Sequence, residues 1–279
     1  MSRVSVSMAN TVAICNQKGG VGKTTLAINL GAALATLGER VLLMDLDPQG
    51  HLTEGVGLKE LYLENSPNLF DALASDRKTP TPEQLIHKPP SEPFLVIPSH
   101  YQLMLAEQSL YMARNREHKL KELLARLDDG FDWILIDCPP ALGNLTDNAL
   151  NAARQVIVPI QAEATSIRAI DLLFDQIESV ERGLNVQIRV LAVVPNLVQD
   201  SAMSREILVG LRTSVSEVTP FEVRKRVMLQ SAWSRGCSIF SYKTASSADE
   251  KTRQEIEDVY KQLAQFVTER VGGGVYASR

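Results

Sequence analysis

The sequence contains no run of apolar residues near the roughly 18 that a membrane span requires. Its first ten residues, MSRVSVSMAN, hold no long apolar stretch, so no secretion signal is expected. Basic charge is not in excess: 29 Lys and Arg stand against 33 Asp and Glu, a formal net charge of −4. That balance excludes a surface that is basic everywhere, while a local basic patch stays compatible with it. Cysteine is scarce. Cys15, Cys138 and Cys237 lie far apart and form no C-x-x-C pair, and they are expected to be buried, unreactive thiols of a cytosolic protein. Internal repeats and low-complexity tracts are absent too. What is present is 279 residues, 44% hydrophobic and 22% charged, the mix of a soluble globular protein.

Six short apolar runs read as strands: TVAIC (11–15), RVLLMDLD (40–47), FLVIPS (94–99), WILIDCPP (133–140), QVIVPIQ (155–161) and RVLAVVPN (189–196). Several are nearly unbroken β-branched and aliphatic runs, as in parallel strands buried on both faces. Helical patterns fall between them, at 24–37, 117–127, 167–181 and 204–213. Strands alternating with helices predict an α/β fold, a mostly parallel twisted sheet flanked by helices on both faces. The stretch 57–93, rich in Pro, Asp and Ser, predicts a short helix and surface loops. A last helix, about 249–271, puts Ile256, Val259, Tyr260, Leu263, Phe266, Val267 and Val271 on one stripe and is expected to dock on the core. The expected organisation is a flexible N-terminus (1–10), one domain (11–271) and a flexible tail (272–279).

The densest signal is CNQKGGVGKTTLAIN, residues 15–29. A strand, a glycine-rich loop and a helix in that order form a phosphate-binding loop, in which the glycines let backbone amides approach an anion. The loop spans Lys18, Gly19, Gly20, Val21, Gly22, Lys23, Thr24 and Thr25. Lys23 is expected on the β- and γ-phosphates and the Thr24 hydroxyl on Mg²⁺. The usual pattern, G-x-x-x-x-G-K-[ST], would put a glycine at position 17. Gln17 stands there, and a second lysine, Lys18, follows. Asp45 and Asp47 sit two apart at the end of the second strand, where open α/β sheets bind ligands. Asp137 ends the fourth strand as a metal-binding aspartate does, and Asp47 is a further candidate near the metal. Asp45 reads equally well as a structural acid at a strand end.

Three segments, KGGVGKTT (18–25), DLDPQG (45–50) and IDCPPALG (136–143), resemble the deviant Walker A, switch I and Walker B/switch II motifs of the ParA/Soj partition ATPases. Their wider superfamily includes MinD and the nitrogenase iron protein. The resemblance implies a single-domain P-loop NTPase that uses ATP and Mg²⁺. It implies that Lys18 reaches across a homodimer to the nucleotide of the other subunit, a charge delivered in trans like an arginine finger. It makes Asp47 the residue that orients the attacking water, with Lys18 and Lys23 beside it in catalysis. It has Gly143 offer its amide to the γ-phosphate. Asn196 is a candidate for the adenine edge, or else part of a Pro-Asn turn.

Between Pro220 and Lys243 five basic residues face one acid, and Arg212 lies on the preceding helix. In ParA relatives such residues form a DNA surface that is continuous only in the ATP dimer. Arg212, Arg224, Lys225, Arg226 and Arg235 are therefore candidates for non-specific contact with double-stranded DNA. The alternative is a solvated basic surface or arginines close to the nucleotide. No helix-turn-helix reads at the N-terminus, so operator binding is not expected. The implied function is slow, partner-stimulated ATP hydrolysis that partitions plasmid or chromosome DNA with a ParB-like adaptor, in the cytoplasm on the nucleoid. A MinD-like membrane system would want a basic amphipathic tail, which VGGGVYASR lacks, and no membrane partner is expected. A ParA-like ATPase that moves a protein cargo is a closer variant. An iron–sulfur carrier would need further cysteine ligands.

Overall fold

The computed structural model describes residues 9–73, 79–127, 130–141, 143–163 and 166–272. Six strands, β1 (Asn10–Ile14), β2 (Val41–Asp45), β3 (Leu95–Ile97), β4 (Trp133–Asp137), β5 (Gln155–Ile160) and β6 (Arg189–Pro195), form one sheet in the order β3-β2-β4-β1-β5-β6. Every pairing is parallel. The apolar runs of the sequence are explained by cover on both faces. In β4, Trp133 and Leu135 enter one core while Ile134 and Ile136 enter the other, and β2 divides Val41 and Leu43 from Leu42 and Met44 in the same way.

The helices are α1 (Lys23–Thr36), α2 (His51–Gly55), α3 (Leu69–Leu73), α4 (Pro82–Leu85), α5 (Ala106–Met112), α6 (Lys119–Leu124), α7 (Asn144–Ala153), α8 (Ser166–Leu184), α9 (Ala202–Ser214), α10 (Val227–Ser234) and α11 (Ser247–Gly272). One core takes side chains of α1, α2, α10 and α11, and the other those of α3 to α8. Local chemistry sets several boundaries. Ser201 caps α9, its hydroxyl accepting from Ser204 N at 3.0 Å. Thr81 and Gln84 form a capping box on α4, with Pro82 as its first residue. At Gly31 in α1, a Cβ would lie 2.7 Å from Leu43 Cδ2, so glycine lets the helix sit close on β2.

α11 is the docked helix the stripe predicts. Tyr260, Leu263 and Val267 are fully buried, Ile256 nearly so, and Val259, Phe266 and Val271 pack at the margin of the same core. Asp249 and Glu250 in its first turn complement the helix dipole.

The second strand ends at Asp45, two residues earlier than the run to Asp47 predicts, because the Asp47 carbonyl accepts from Gly50 N at 3.0 Å and closes a turn. The helix expected at 117–127 is reduced to α6 after a short 3₁₀ turn. Among its described residues the stretch 57–93 holds two short α-helices and a 3₁₀ turn (Lys59–Tyr62) where one short helix was expected. α10 had no periodic signal in the sequence. Residues 1–8 and 273–279, which carry most of the expected flexible ends, lie outside the described residues. All three cysteines are buried, as expected.

Leu263→Ala is expected to destabilise the chain by about 2–5 kcal/mol, since it leaves a cavity under α11. Exposed Gln262→Ala is expected to stay within about 0.5 kcal/mol. Urea denaturation of the two variants checks both.

Candidate nucleotide site

β1 lies between β4 and β5 in the sheet, and its chain turns into α1 through residues 15–22. Gly20 (φ 75°) and Gly22 (φ 84°) take left-handed conformations that favour glycine. At Gly19 and Gly20 an added Cβ would meet nothing within 4 Å, so open space faces the loop. No side chain caps the start of α1. Its first amides and the loop can therefore receive an anion. Lys23 is buried, and its Nζ donates to Asn16 O at 3.1 Å. Asn16 is fixed in turn by donating from Nδ2 to Pro159 O at 2.7 Å.

Register puts Asp45 of β2 directly beside Asp137 of β4. Both carboxylates are fully buried. The Thr24 hydroxyl donates to Asp137 Oδ2 at 2.7 Å. Thr53 donates twice to Asp45 Oδ2, from its N at 2.8 Å and its hydroxyl at 2.6 Å. Among the described residues the second oxygen of each carboxylate, itself buried, has no hydrogen-bond partner. Burial raises Asp45 to a pKa of about 7, against the lowering effect of the Thr53 bonds. Burial, then the charge of Asp45, pushes Asp137 well above the usual carboxylate range. Among the described residues no group of three or more His, Cys, Asp or Glu gathers to hold a metal. Two orphaned carboxylate oxygens beside a threonine hydroxyl fit Mg²⁺ nonetheless, because that ion takes few protein ligands and completes its shell with phosphate and water.

Asp47 lies just beyond the strand and is nearly buried. Its Oδ1 accepts from Gln49 N at 3.0 Å. Lys18 is held at the end of β5, where its Nζ meets Glu163 Oε2 at 2.5 Å. No sequence signal pointed to Glu163, which lies 145 positions from Lys18.

A profile of the AAA domain matches residues 9–190. The sporulation initiation inhibitor protein Soj of Bacillus subtilis is 40% identical over 187 residues, 67% of this chain and 72% of that protein. The chromosome partitioning protein ParA of Myxococcus xanthus is 35% identical over 248 residues, 84% and 86% of the two chains. The chain belongs to the ParA/Soj family of P-loop ATPases. The structure of cobyrinic acid a,c-diamide synthase from Mycobacterium smegmatis, with a bound ATP analogue and magnesium, superposes with a TM-score of 0.78 at 31% identity, covering 96% of this chain and 97% of that one.

Set against the family motifs, two expected residues have other partners in this ParA/Soj relative. Asn196 is buried, donates from Nδ2 to Val21 O at 2.8 Å, and accepts at Oδ1 from Leu197 N at 3.0 Å. A Cβ at Gly22 would lie 2.5 Å from Asn196 Nδ2, so the asparagine braces the loop from behind. Gly143 precedes α7, and the Glu107 carboxylate accepts from Asn144 N at 2.8 Å and Leu145 N at 3.0 Å. A side chain at 143 would strike Glu107. Nothing in the sequence pointed to Glu107 of α5 as the acceptor at the start of a helix 37 residues away.

The basic candidates are distributed over α9, the segment before α10 and the end of α10, and most are paired. Arg212 meets Glu222 at 3.0 Å, Arg224 lies 3.9 Å from the same carboxylate, and Arg226 lies 3.7 Å from Glu255. Arg235 stacks over Tyr242 at 4.9 Å. Lys225 is exposed. Glu222, Arg224, Arg226 and Glu255 line a groove of about 240 Å³ with Val223, Ile256 and Val259.

The raised pKa of Asp45 has a sign that can be tested. The folded chain keeps a proton that the unfolded chain releases above about pH 4, so the group's contribution to stability is lost as pH rises from 3.8 toward about 7. Asp45→Asn is expected to stabilise the nucleotide-free protein at pH 8 by about 2–4 kcal/mol, at about 1.4 kcal/mol per pKa unit, and to match the parent near pH 4. Denaturant titrations at the two pH values measure this.

Proposed function

We propose that this chain is a Mg-ATP-dependent ATPase that dimerises on ATP, binds double-stranded DNA without sequence preference and partitions DNA with a ParB-like adaptor that stimulates slow hydrolysis. The observation that carries the reading is a complete loop-and-carboxylate nucleotide site with one lysine too many. The names of the Soj and ParA relatives support partition, and the bound nucleotide and magnesium of the M. smegmatis structure support the pairing of ATP with Mg²⁺.

In this reading the amides of Gly19 to Thr25 cradle the phosphates, and Lys23 leaves Asn16 O for the β- and γ-phosphates. Thr24 and Asp137 would hold Mg²⁺, with Asp45, its register neighbour in the sheet, as a further candidate. When bound, Mg²⁺ supplies charge neutralisation between the phosphates. Asp47, anchored through Oδ1, turns Oδ2 to the attacking water. Asn196 keeps the loop in shape, and Gly143 meets the γ-phosphate only after Glu107 yields. Lys18 must exchange Glu163 for the neighbouring subunit's nucleotide. Its side chain is 29% exposed and that of Glu163 54%, so this is a surface ion pair worth under about 1 kcal/mol. A phosphate repays that exchange easily, and ATP becomes the link between subunits. The protein works in the cytoplasm, on the nucleoid.

Lys18→Ala is expected to retain nucleotide binding and to lose ATP-dependent dimerisation or turnover. Sedimentation with Mg-ATP measures it, and a variant that dimerises and hydrolyses like the parent would contradict the role in trans.

DNA binding follows from doubling a patch, because affinity depends exponentially on the phosphates neutralised. Arg224 keeps only a long contact with Glu222 and is 60% exposed, and Lys225 is exposed, so these are better-placed cations than Arg212 and Arg226, which are 35% and 38% exposed and paired with Glu222 and Glu255. Two per subunit give about four phosphates in a dimer and a log–log salt slope of about −4. Arg224→Glu/Lys225→Glu is expected to abolish binding to two unrelated duplexes while ATP-dependent dimerisation persists. Anisotropy titrations at several salt concentrations measure the slope, and equal binding without ATP would defeat the assignment.

A second reading, an ATP-dependent synthase, is favoured by the likeness to the M. smegmatis protein. It predicts ATP turnover that rises with a carboxylic acid and ammonia and is indifferent to DNA.

A further inference from the structure

The turn that carries Asp47 is gripped from outside the motif. The Ser99 hydroxyl, two residues past β3, donates to Asp47 O at 2.7 Å. Ser99 N donates to Thr53 Oγ1 at 2.8 Å. Thr53 Oγ1 spends its own proton on Asp45 Oδ2 at 2.6 Å. The chain of bonds therefore has a fixed direction, and each hydroxyl proton has one acceptor. Ser99, Thr53 and Asp45 are fully buried, and Asp47 is 7% exposed, so water cannot replace a missing member cheaply.

Asp47 is thus located at two atoms. Gln49 N holds its Oδ1, and Ser99 together with Gly50 N holds its main-chain oxygen. Among the described residues no donor engages Oδ2. A water-orienting carboxylate needs this arrangement: one oxygen committed, the other open, and a backbone that does not swing. Ser99 comes from the strand that pairs with β2, so the edge of the sheet fixes the distance at which Asp47 stands.

We propose that Ser99, held by Thr53, is a positioning residue for ATP hydrolysis, setting Asp47 in the orientation that the attacking water requires. The inference rests on the reading of Asp47 given above. Ser99 touches neither nucleotide nor metal in this scheme. Its loss therefore affects the rate and leaves binding intact, and a displacement of about 1 Å in such a group can cost up to about 10²-fold.

The test uses the full chain with Mg-ATP, comparing single-turnover hydrolysis with the affinity for Mg-ATPγS. Ser99→Ala is expected to lower kcat about 10- to 100-fold while KM and the Mg-ATPγS Kd stay within about threefold. Ser99→Thr, which keeps the hydroxyl, is expected to recover most of the rate. Thr53→Val, near in shape but without the hydroxyl, is expected to reproduce the Ser99→Ala pattern. A Ser99→Ala chain that hydrolyses at the parent rate overturns the inference. So does one whose loss of rate is matched by an equal loss of nucleotide affinity, since that marks a structural role only. Asp47→Ala in parallel separates the two claims. If it hydrolyses normally, the reading of Asp47 fails first; if it is inactive while Ser99→Ala is normal, only the present inference falls.

Discussion

Two carboxylates forced side by side in a dry place govern this structure. Asp45 and Asp137 occupy paired positions at the ends of adjacent parallel strands, fully buried, each with one oxygen unpartnered. Like charges at that spacing are costly, and burial makes them costlier. The surroundings offset this with directed donors: the Thr24 hydroxyl on one side, the Thr53 amide and hydroxyl on the other, and the Lys23 ammonium nearby. The loop geometry, the start of α1 and the tether of β3 to the Asp47 turn all serve to hold these donors in place. Burial raises both carboxylates, so without a cation the pair holds on to a proton, and a bound cation would relieve it in its place, which fits a metal-nucleotide site.

The two lysines of the loop are kept apart by their environments. Lys23 is buried beside the carboxylates, and Lys18 is half in solvent with Glu163. A buried cation next to buried acids is committed to its own subunit. A surface cation in an exposed ion pair is cheap to redirect. On the proposed reading, this difference in burial suits Lys23 to the nucleotide of its own chain and Lys18 to that of a neighbouring subunit.

The strands were legible because both faces of the sheet are covered, so each strand is apolar throughout. The loop was legible because glycine and lysine at fixed offsets have few other uses. Asp47 was singled out for its place near a strand end, but the turn that ends the strand at Asp45, closed by Gly50 N, was not legible because it follows no apolar pattern. Glu107, Glu163, Thr53 and Ser99 were not legible. Each acts across a distance in sequence, through a hydrogen bond or ion pair that the fold alone creates. The basic segment was read as a run of charge. Its pairing with Glu222 and Glu255 depends on how α9 and α11 pack around it, and Glu255 sits in a stretch where nothing marked it.

The direct test of the account is whether nucleotide stabilises the fold by way of the carboxylate pair. Thermal unfolding is measured with ATP and Mg²⁺, with ATP and a chelator, and for Asp137→Asn under both conditions. The account predicts a large rise in melting temperature that requires Mg²⁺ in the parent and is mostly lost in Asp137→Asn. An equal rise with chelator present, or an Asp137→Asn chain that gains as much as the parent, would contradict it.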